Sequence, residues 1–328
     1  MRIAVDAQGG KAGPRPVLDA AVRSARETGV EFLLCGPADP LRRALDSMGV
    51  SPSDTGLRVM DAPDAVGLDE DPSEARERPL SSAMVAAQQA AGGGADAFLA
   101  TGNPGAALVA SLWHMKKLSG VLRPALARTV RTLAGRAVLL DCGASPECKP
   151  WHLLQFALMG CAYARTLGTP EPRVGLLSSG ARWGPWSEST RETLALLKHS
   201  GTEFVGVVDG AAFTAGGADV AVCDGLVGGA CAGILEGAAA LFAARTAAAS
   251  QGRMFPGLRR RLLDPIMGTA AADLRPGGAP LLGMDGVVVL SRGDEDAQEL
   301  MEGIRTAALL RESGLKDRIR ETMLEEVA

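Results

Sequence analysis

Residues 139–160 read LLDCGASPECKPWHLLQFALMG. The segment begins in the apolar run RAVLL, whose composition suits a strand buried on both faces. It ends in an apolar stretch opened by Pro150, a residue favoured at the first helical position. Between the two lies a bend carrying Asp141, Cys142, Cys148, Lys149 and His152. Three readings compete: a metal site, a redox site, or a strand handing over to a helix beside a ligand. A zinc set of Cys142, Cys148, His152 and Cys161 matches no common ligand spacing. The six cysteines lack CxxC spacing, and contexts such as FLLCG and VAVCDG suit buried, reduced thiols. The third reading is favoured because the same design recurs along the chain.

MRIAVDA leads through QGGKAGP into PVLDAAVRSARETG. EFLLCG precedes DPLRRALDSMG, ADAFLATG precedes NPGAALVASLWHMKKL, PRVGLLSSG precedes SESTRETLALLKHSG, and ADVAVCDG precedes a long alanine-rich helix. LLGMDGVVVLSRG runs into DEDAQELMEGIRTAALLRESG. Strands alternating with helices across short loops define an α/β fold, a Rossmann-like α/β/α sandwich with a mostly parallel sheet. No linker is visible. The chain is therefore expected to form one domain over 1–328 with interwoven lobes, and a helical hairpin insertion about 230–275.

At 328 residues and 47% hydrophobic, the chain has ample material for a large core, although aromatics make up only 4% and glycines number 41. A net charge of −4 makes nucleic acid an unexpected partner. The first residues read as a strand and turn, not a secretion signal, so a cytoplasmic protein is expected. The stretch QGRMFPGLRRRLLDPIMG combines Phe255 with Arg259, Arg260 and Arg261, a basic, apolar-tipped element suited to an acidic partner or a membrane surface.

Ligands of open α/β sheets bind outside the carboxyl ends of the strands. Here those ends are DAQGGKAGP (6–14), TGNPGAA (101–107), DCGAS (141–145), SSGARWG (178–184) and CDGLVGG (223–229). Glycine admits close backbone approach, and a helix N-terminus offers unpaired N–H groups and a positive dipole end. Five such corners are expected to share a phosphate-bearing cleft. Asp6, Asp141 and Asp224 each end or follow an apolar strand, where a carboxylate caps the turn or orients the loop. No GxGxxG follows the first strand, and GxxxxGK(S/T), GxSxG and HExxH are absent. His114, His152 and His199 are the only histidines, which leaves a Ser-His-Asp site poorly supplied.

VDAQGGKAGP, ADAFLATGNPGAALVAS, VLLDCGASPECKPWHLLQFALMG, RVGLLSSG, ADVAVCDGLVGG and GGAPLLGMDGVVVLSRG occur in the order seen in the PlsX family of phosphate acyltransferases. The sequence resembles that family from residue 3 to about 310. The resemblance implies a fold related to isocitrate dehydrogenase-type and phosphotransacetylase-type enzymes. It implies formation of acyl phosphate from acyl-acyl-carrier protein and inorganic phosphate in phospholipid synthesis, with no cofactor and no metal. It also implies a homodimer that touches the inner face of the membrane through a helical hairpin. Asn103, Lys11 and Arg182 are the candidate catalytic residues, Lys11 and Arg182 as cations standing in for the one the family pattern has and this chain lacks. Gly9, Gly10, Gly102, Gly105, Asp141, Gly143, Gly180, Asp224, Gly225 and Gly228 become the phosphate- and acyl-binding set, and Phe255 with Arg259–Arg261 the docking element.

The chain departs from the family pattern at several corners. Lys11 stands where the family usually has aspartate, Pro104 where it has threonine, and Ser178 where it has asparagine. GARWGPW replaces GxEExKG, putting Pro185 near the family lysine; Gly229 replaces an asparagine, and Ser291-Arg292-Gly293 replaces SHG. Two alternatives follow: a silent paralogue that keeps the fold to bind carrier protein or a partner, and a short-chain phosphate acyltransferase whose slot is narrowed by Trp183 and Trp186.

Overall fold

The computed structural model describes residues 1–51, 56–178, 187–250 and 278–327. The candidate residues Gly180, Arg182, Phe255, Arg259, Arg260 and Arg261 lie outside them, as do Trp183, Pro185, Trp186 and most of the expected hairpin.

In chain order the strands are β1 (Arg2–Asp6), β2 (Glu31–Gly36), β3 (Leu57–Asp61), β4 (Ala97–Ala100), β5 (Ala125–Leu126), β6 (Arg128–Thr132), β7 (Gly135–Leu140), β8 (Arg173–Leu177), β9 (Glu203–Val208), β10 (Val220–Val222), β11 (Ala279–Leu282) and β12 (Val287–Leu290). The α-helices are α1 (Arg15–Thr28), α2 (Ala38–Ser47), α3 (Ser82–Ala91), α4 (Pro104–His114), α5 (Pro150–Thr166), α6 (Glu188–His199), α7 (Gly210–Thr214), α8 (Gly225–Ser250), α9 (Ala297–Glu312) and α10 (Leu315–Val327). The chain divides into two compact units, Met1–Ala127 with Gly277–Ala328, and Arg128–Pro276. The strand-helix alternation is thus distributed over two sheets, each mostly parallel.

Among the described residues, the first unit holds a seven-stranded sheet in the order β3-β2-β1-β4-β12-β11-β5. Only β11 runs antiparallel to its neighbours, β12 and β5. The segment LLGMDGVVVL, read as one run in the sequence, is a hairpin: Gly283–Gly286 turns β11 back into β12. Strands β4 and β12 are buried at every position, which requires cover on both faces. Helix pairs α1 with α9 and α3 with α4 supply it. Ile3, Phe32, Leu34, Phe98 and Leu99 form the centre of this core.

The second unit holds a five-stranded sheet in the order β6-β7-β10-β8-β9, again counted among the described residues. β6 and β7 form an antiparallel hairpin; the other pairings are parallel. Helix α5 starts at Pro150, as its sequence requires, and packs Phe156, Ala157 and Met159 into the core. Gly160 of α5 lies so close to β10 that a Cβ there would stand 2.6 Å from Val220 Cγ1. Helix α8 is long and apolar enough over Gly225–Phe242 to cross a membrane by length and composition, and it is mostly exposed. Leu226, Ile234, Leu241 and Phe242 face outward, while Glu236 pairs with Arg128 of β6.

Candidate active site

Register decides which corners meet. Val5 is level with Leu99, and Leu99 with Val289, so Asp6, Ala100 and Leu290 end their strands at one height. The loops beginning at Ala7, Thr101 and Ser291 therefore leave the sheet at a single rim of the first unit. Hydrogen bonds tie them together: Lys11 N donates to Gly293 O at 2.7 Å, Ser291 N to Ala100 O at 2.9 Å, and Thr101 Oγ1 to Asp6 O. Gly9 and Gly102 touch backbone to backbone. A Cβ on Gly102 would stand 2.6 Å from Gly9 Cα, so both positions demand glycine.

Asp6 is the centre of this rim. Its Oδ1 accepts from Gln8 N and Gly9 N at 3.2 Å each and from Ser82 Oγ at 2.6 Å. The Gly102 backbone lies against the carboxylate and also lowers its pKa. Burial raises its pKa above the ordinary carboxylate value, and those four contacts pull the other way. The N–H of Gly9 is therefore spent on Asp6. Among the described residues Gly10 N–H carries no such bond, and Lys11 next to it is exposed. That difference from the sequence reading has a simple cause: an aspartate two or three residues upstream reaches the loop donors before a ligand does.

Asn103 is the N-cap of α4. Its Oδ1 accepts from Ala106 N at 3.0 Å, while Nδ2 donates to Gly67 O at 2.8 Å and Glu70 O at 3.1 Å. Both amide hydrogens are thus engaged, and the side chain fixes the start of α4 against the Gly67–Glu70 loop. Pro104 occupies N1, where a missing N–H costs the helix nothing. Gly105 packs against Pro72, with a Cβ there 2.8 Å from Pro72 Cβ. Arg292 is tied to Asp294 and Glu299, and buried Glu295 accepts from Arg292 N and Gly293 N at 2.5 and 2.8 Å. A small, shallow hollow lies here, lined by Gly10, Ala12, Thr101, Gly293 and Glu295 among others.

The second unit repeats the design. Leu140, Val222 and Leu176 stand level, so the loops after β7, β10 and β8 also share a rim. The fully buried Asp141 turns back on its own loop, accepting from Gly143 N at 3.2 Å, Ala144 N at 3.1 Å and Ser145 N at 2.6 Å. Asp224 Oδ1 accepts from Val227 N at 2.8 Å and starts α8. Gly225 N donates to Ser145 O at 2.8 Å, and a Cβ on Gly228 would overlap the carbonyl oxygen of Asp141. Asp141, Gly143, Asp224, Gly225 and Gly228 are thus brought together, with their donors largely committed to holding the corner.

The four buried thiols offer no nucleophile. Burial pushes Cys142 and Cys223 well above the ordinary thiol range, Cys35 up to about 12 and Cys161 up to about 11. A thiolate is the reactive form, so none of these four is poised for acyl transfer at neutral pH. His152 Nδ1 accepts from Lys149 N at 3.0 Å, closing the first turn of α5. Sequence reasoning missed Ser82, Thr101 and Glu295. Ser82 opens a helix in an ordinary SSAMV context, and nothing local pairs it with an aspartate 76 residues away.

Solved structures with the same architecture define the class. A phosphotransacetylase from Streptococcus pyogenes superposes with a TM-score of 0.62 at 14% identity, covering 97% of this chain and 94% of that one. A branched-chain phosphotransacylase from Enterococcus faecalis gives 0.57 at 17% identity, covering 94% of this chain and 99% of that one. The fold is therefore the Rossmann-like α/β type of the phosphotransacylases. Residues 1–318 match the family model described as fatty acid synthesis protein. The phosphate acyltransferase of Elusimicrobium minutum is 38% identical over 330 residues, covering 99% of this chain and 96% of its own; that of Desulforamulus reducens is 36% identical, with 98% and 97% coverage. The chain belongs to this fatty acid synthesis protein family, the PlsX phosphate acyltransferases.

Proposed function

We infer that the chain is an acyltransferase that moves an acyl group from acyl-acyl-carrier protein to inorganic phosphate, forming the acyl phosphate used in phospholipid synthesis. The observation carrying the site assignment is the common height of β1, β4 and β12. It brings Gly10, Lys11 and the start of α4 to one rim. A phosphate oxygen attacks the thioester carbonyl carbon, forming the new C–O bond. The tetrahedral oxyanion then collapses, the C–S bond breaks, and the carrier thiolate leaves with the sulfur's electron pair and takes up a proton.

The protein has to hold one anion against an electrophile and neutralise a second negative charge as it develops. The Gly10 N–H and the Lys11 ammonium are assigned to the phosphate. Asn103 serves by fixing the α4 N-terminus, whose dipole favours the anion. Asp141, Gly143, Asp224, Gly225 and Gly228 are assigned the shaping of the second corner. Arg182 is assigned the neutralisation of charge in place of the family lysine, and Gly180 the shaping of its corner.

Incubating the protein with acyl-carrier thioester and phosphate tests the reading: the thioester disappears only when phosphate is present, and acyl phosphate accumulates. Absence of product from pure, folded protein removes it. Lys11→Ala is expected to lower kcat/KM for phosphate about tenfold or more, the loss of one charge-assisted contact. The exposed apolar face of α8 supports a second copy of the chain as partner, which sedimentation equilibrium would test. A cytoplasmic protein bound at the inner face of the membrane through residues 255–261 completes the reading, and vesicle flotation with Phe255→Asp tests that contact.

A further inference from the structure

We propose that Ser82 is a positioning residue for the phosphate corner: its hydroxyl orients the Asp6 carboxylate, and Asp6 in turn sets where Gly10 and Lys11 lie. The proposal rests on the assignment of that corner to phosphate.

Asp6 gathers hydrogen bonds from two separate segments, its own loop through Gln8 and Gly9 and the first turn of α3 through Ser82, and its carboxylate lies against the β4 loop at Gly102. These bonds are not equal. The two loop N–H groups stand at 3.2 Å, the long end of the range, whereas Ser82 Oγ stands at 2.6 Å, the length of a strong hydroxyl-to-carboxylate bond. The short bond therefore selects the rotation of the carboxylate, and the loop N–H groups follow. Ser82 is held in turn by α3, which packs against β1, β2 and β4. Ser82 is 1% exposed and Asp6 2%, so neither can touch a substrate; both act through the loop.

The loop has little freedom to absorb a change. Gly9 is pressed against Gly102, and Lys11 N is bonded to Gly293 O. A rotation of Asp6 is therefore passed on to Gly10 rather than dissipated. Without the Ser82 hydroxyl, the carboxylate keeps the two long loop bonds and loses the short contact that fixes its rotation. Gly10 and Lys11 then move relative to the start of α4, and misplacements of about 1 Å in such sites cost up to about 100-fold in rate. Phosphate is the substrate affected, because only its subsite is built on this loop.

The test compares Ser82→Ala with Ser82→Thr, which keeps the hydroxyl, and with wild type. Initial rates are measured with phosphate varied at saturating acyl-carrier thioester, and the reverse. Ser82→Ala is expected to raise KM for phosphate about tenfold, within the range set by such misplacements, while leaving KM for the thioester within about twofold. Ser82→Thr is expected to recover most of the loss. An unchanged KM for phosphate overturns the proposal, as does an equal rise in both KM values that threonine fails to rescue. Amide hydrogen exchange over residues 7–13, without substrate, gives a readout independent of turnover. About tenfold faster exchange in Ser82→Ala is expected, and wild-type exchange overturns the proposal. If wild type makes no acyl phosphate, the transferase reading fails while the exchange result still decides the role of Ser82. If Ser82→Ala does not fold, Asp6→Asn replaces it in both measurements, with the same expected outcomes.

Discussion

Asp6 ends β1 in the first unit and Asp141 follows β7 in the second, and each turns a buried carboxylate back on the glycine loop that follows. Their donors come from different places. Asp141 collects three successive N–H groups from residues 143–145, all within four positions of itself. Asp6 takes two from its own loop and the shortest from Ser82, 76 residues away. The loop N–H donors to the Asp141 carboxylate are thus local, while Asp141 N and Ser145 O bind the same loop to Cys223 and Gly225 across the sheet. The Asp6 corner exists only once α3 and β4 are in place. Carboxylate donors from the same loop fix its shape as the chain turns, and a donor from a distant segment ties the carboxylate to the rest of the fold.

Substitutions can break that contrast or sharpen it. The largest effect is expected from Gly228→Ala, because the added carbon overlaps a backbone oxygen that cannot swing away. About 3 kcal/mol of stability should be lost in urea denaturation, the upper part of the overpacking range. Gly102→Ala, set against the Gly9 backbone, should cost about 2 kcal/mol on the same scale and abolish turnover as well. Asp141→Asn comes next. An amide must aim an N–H at one of the three loop donors, at a cost of about 2 kcal/mol at pH 7. Asp6→Asn should cost less at that pH, since burial already opposes the Asp6 charge. Equal losses at the two aspartates would erase the distinction.

The pH dependence sharpens it further. Burial raises the folded-state pKa of Asp6 above its unfolded value, so folding takes up a proton there. The resulting stability is fully present below the unfolded value near 3.8 and is lost as pH rises through the folded pKa. The stability of wild type relative to Asp6→Asn should therefore grow as pH falls from 7 towards 4. Denaturant titrations of both proteins at stepped pH would show it, and a difference that is flat or of opposite slope would refute it. The smallest difference separates the two helix caps. Asn103→Ala should cost about 2 kcal/mol, since it loses a cap and two loop contacts, against about 1 kcal/mol for Asp224→Ala, which loses only the cap.

Much of the architecture was legible from patterning. Buried strands announce themselves as short apolar runs, Pro150 marks the start of α5, and glycine corners mark the strand ends. β6 escaped notice because ARTVRT carries two arginines on a hairpin strand exposed in part, so no apolar run flags it. The hairpin of β11 and β12 was hidden for the opposite reason: both strands are apolar, and only the Gly-Met-Asp-Gly turn divides them. At the site, Gly10, Lys11 and the Asn103 corner were legible as glycine-rich strand ends. The commitment of Gly9 N–H to Asp6, and of the Asn103 amide to Gly67 and Glu70, was not.

The amino-acid order alone determined the α/β class, the sequence of elements and the positions where the backbone must bend tightly. These follow from the interactions of each residue with its near neighbours and with water, which repeat along every strand and helix. Folding in three dimensions decided which donors remain available to a ligand. Gly9 meets Gly102, and Asp6 meets Ser82, across stretches of chain that no local rule connects. Competition for a hydrogen bond is settled by distance in space, which only the register of β1, β4 and β12 establishes.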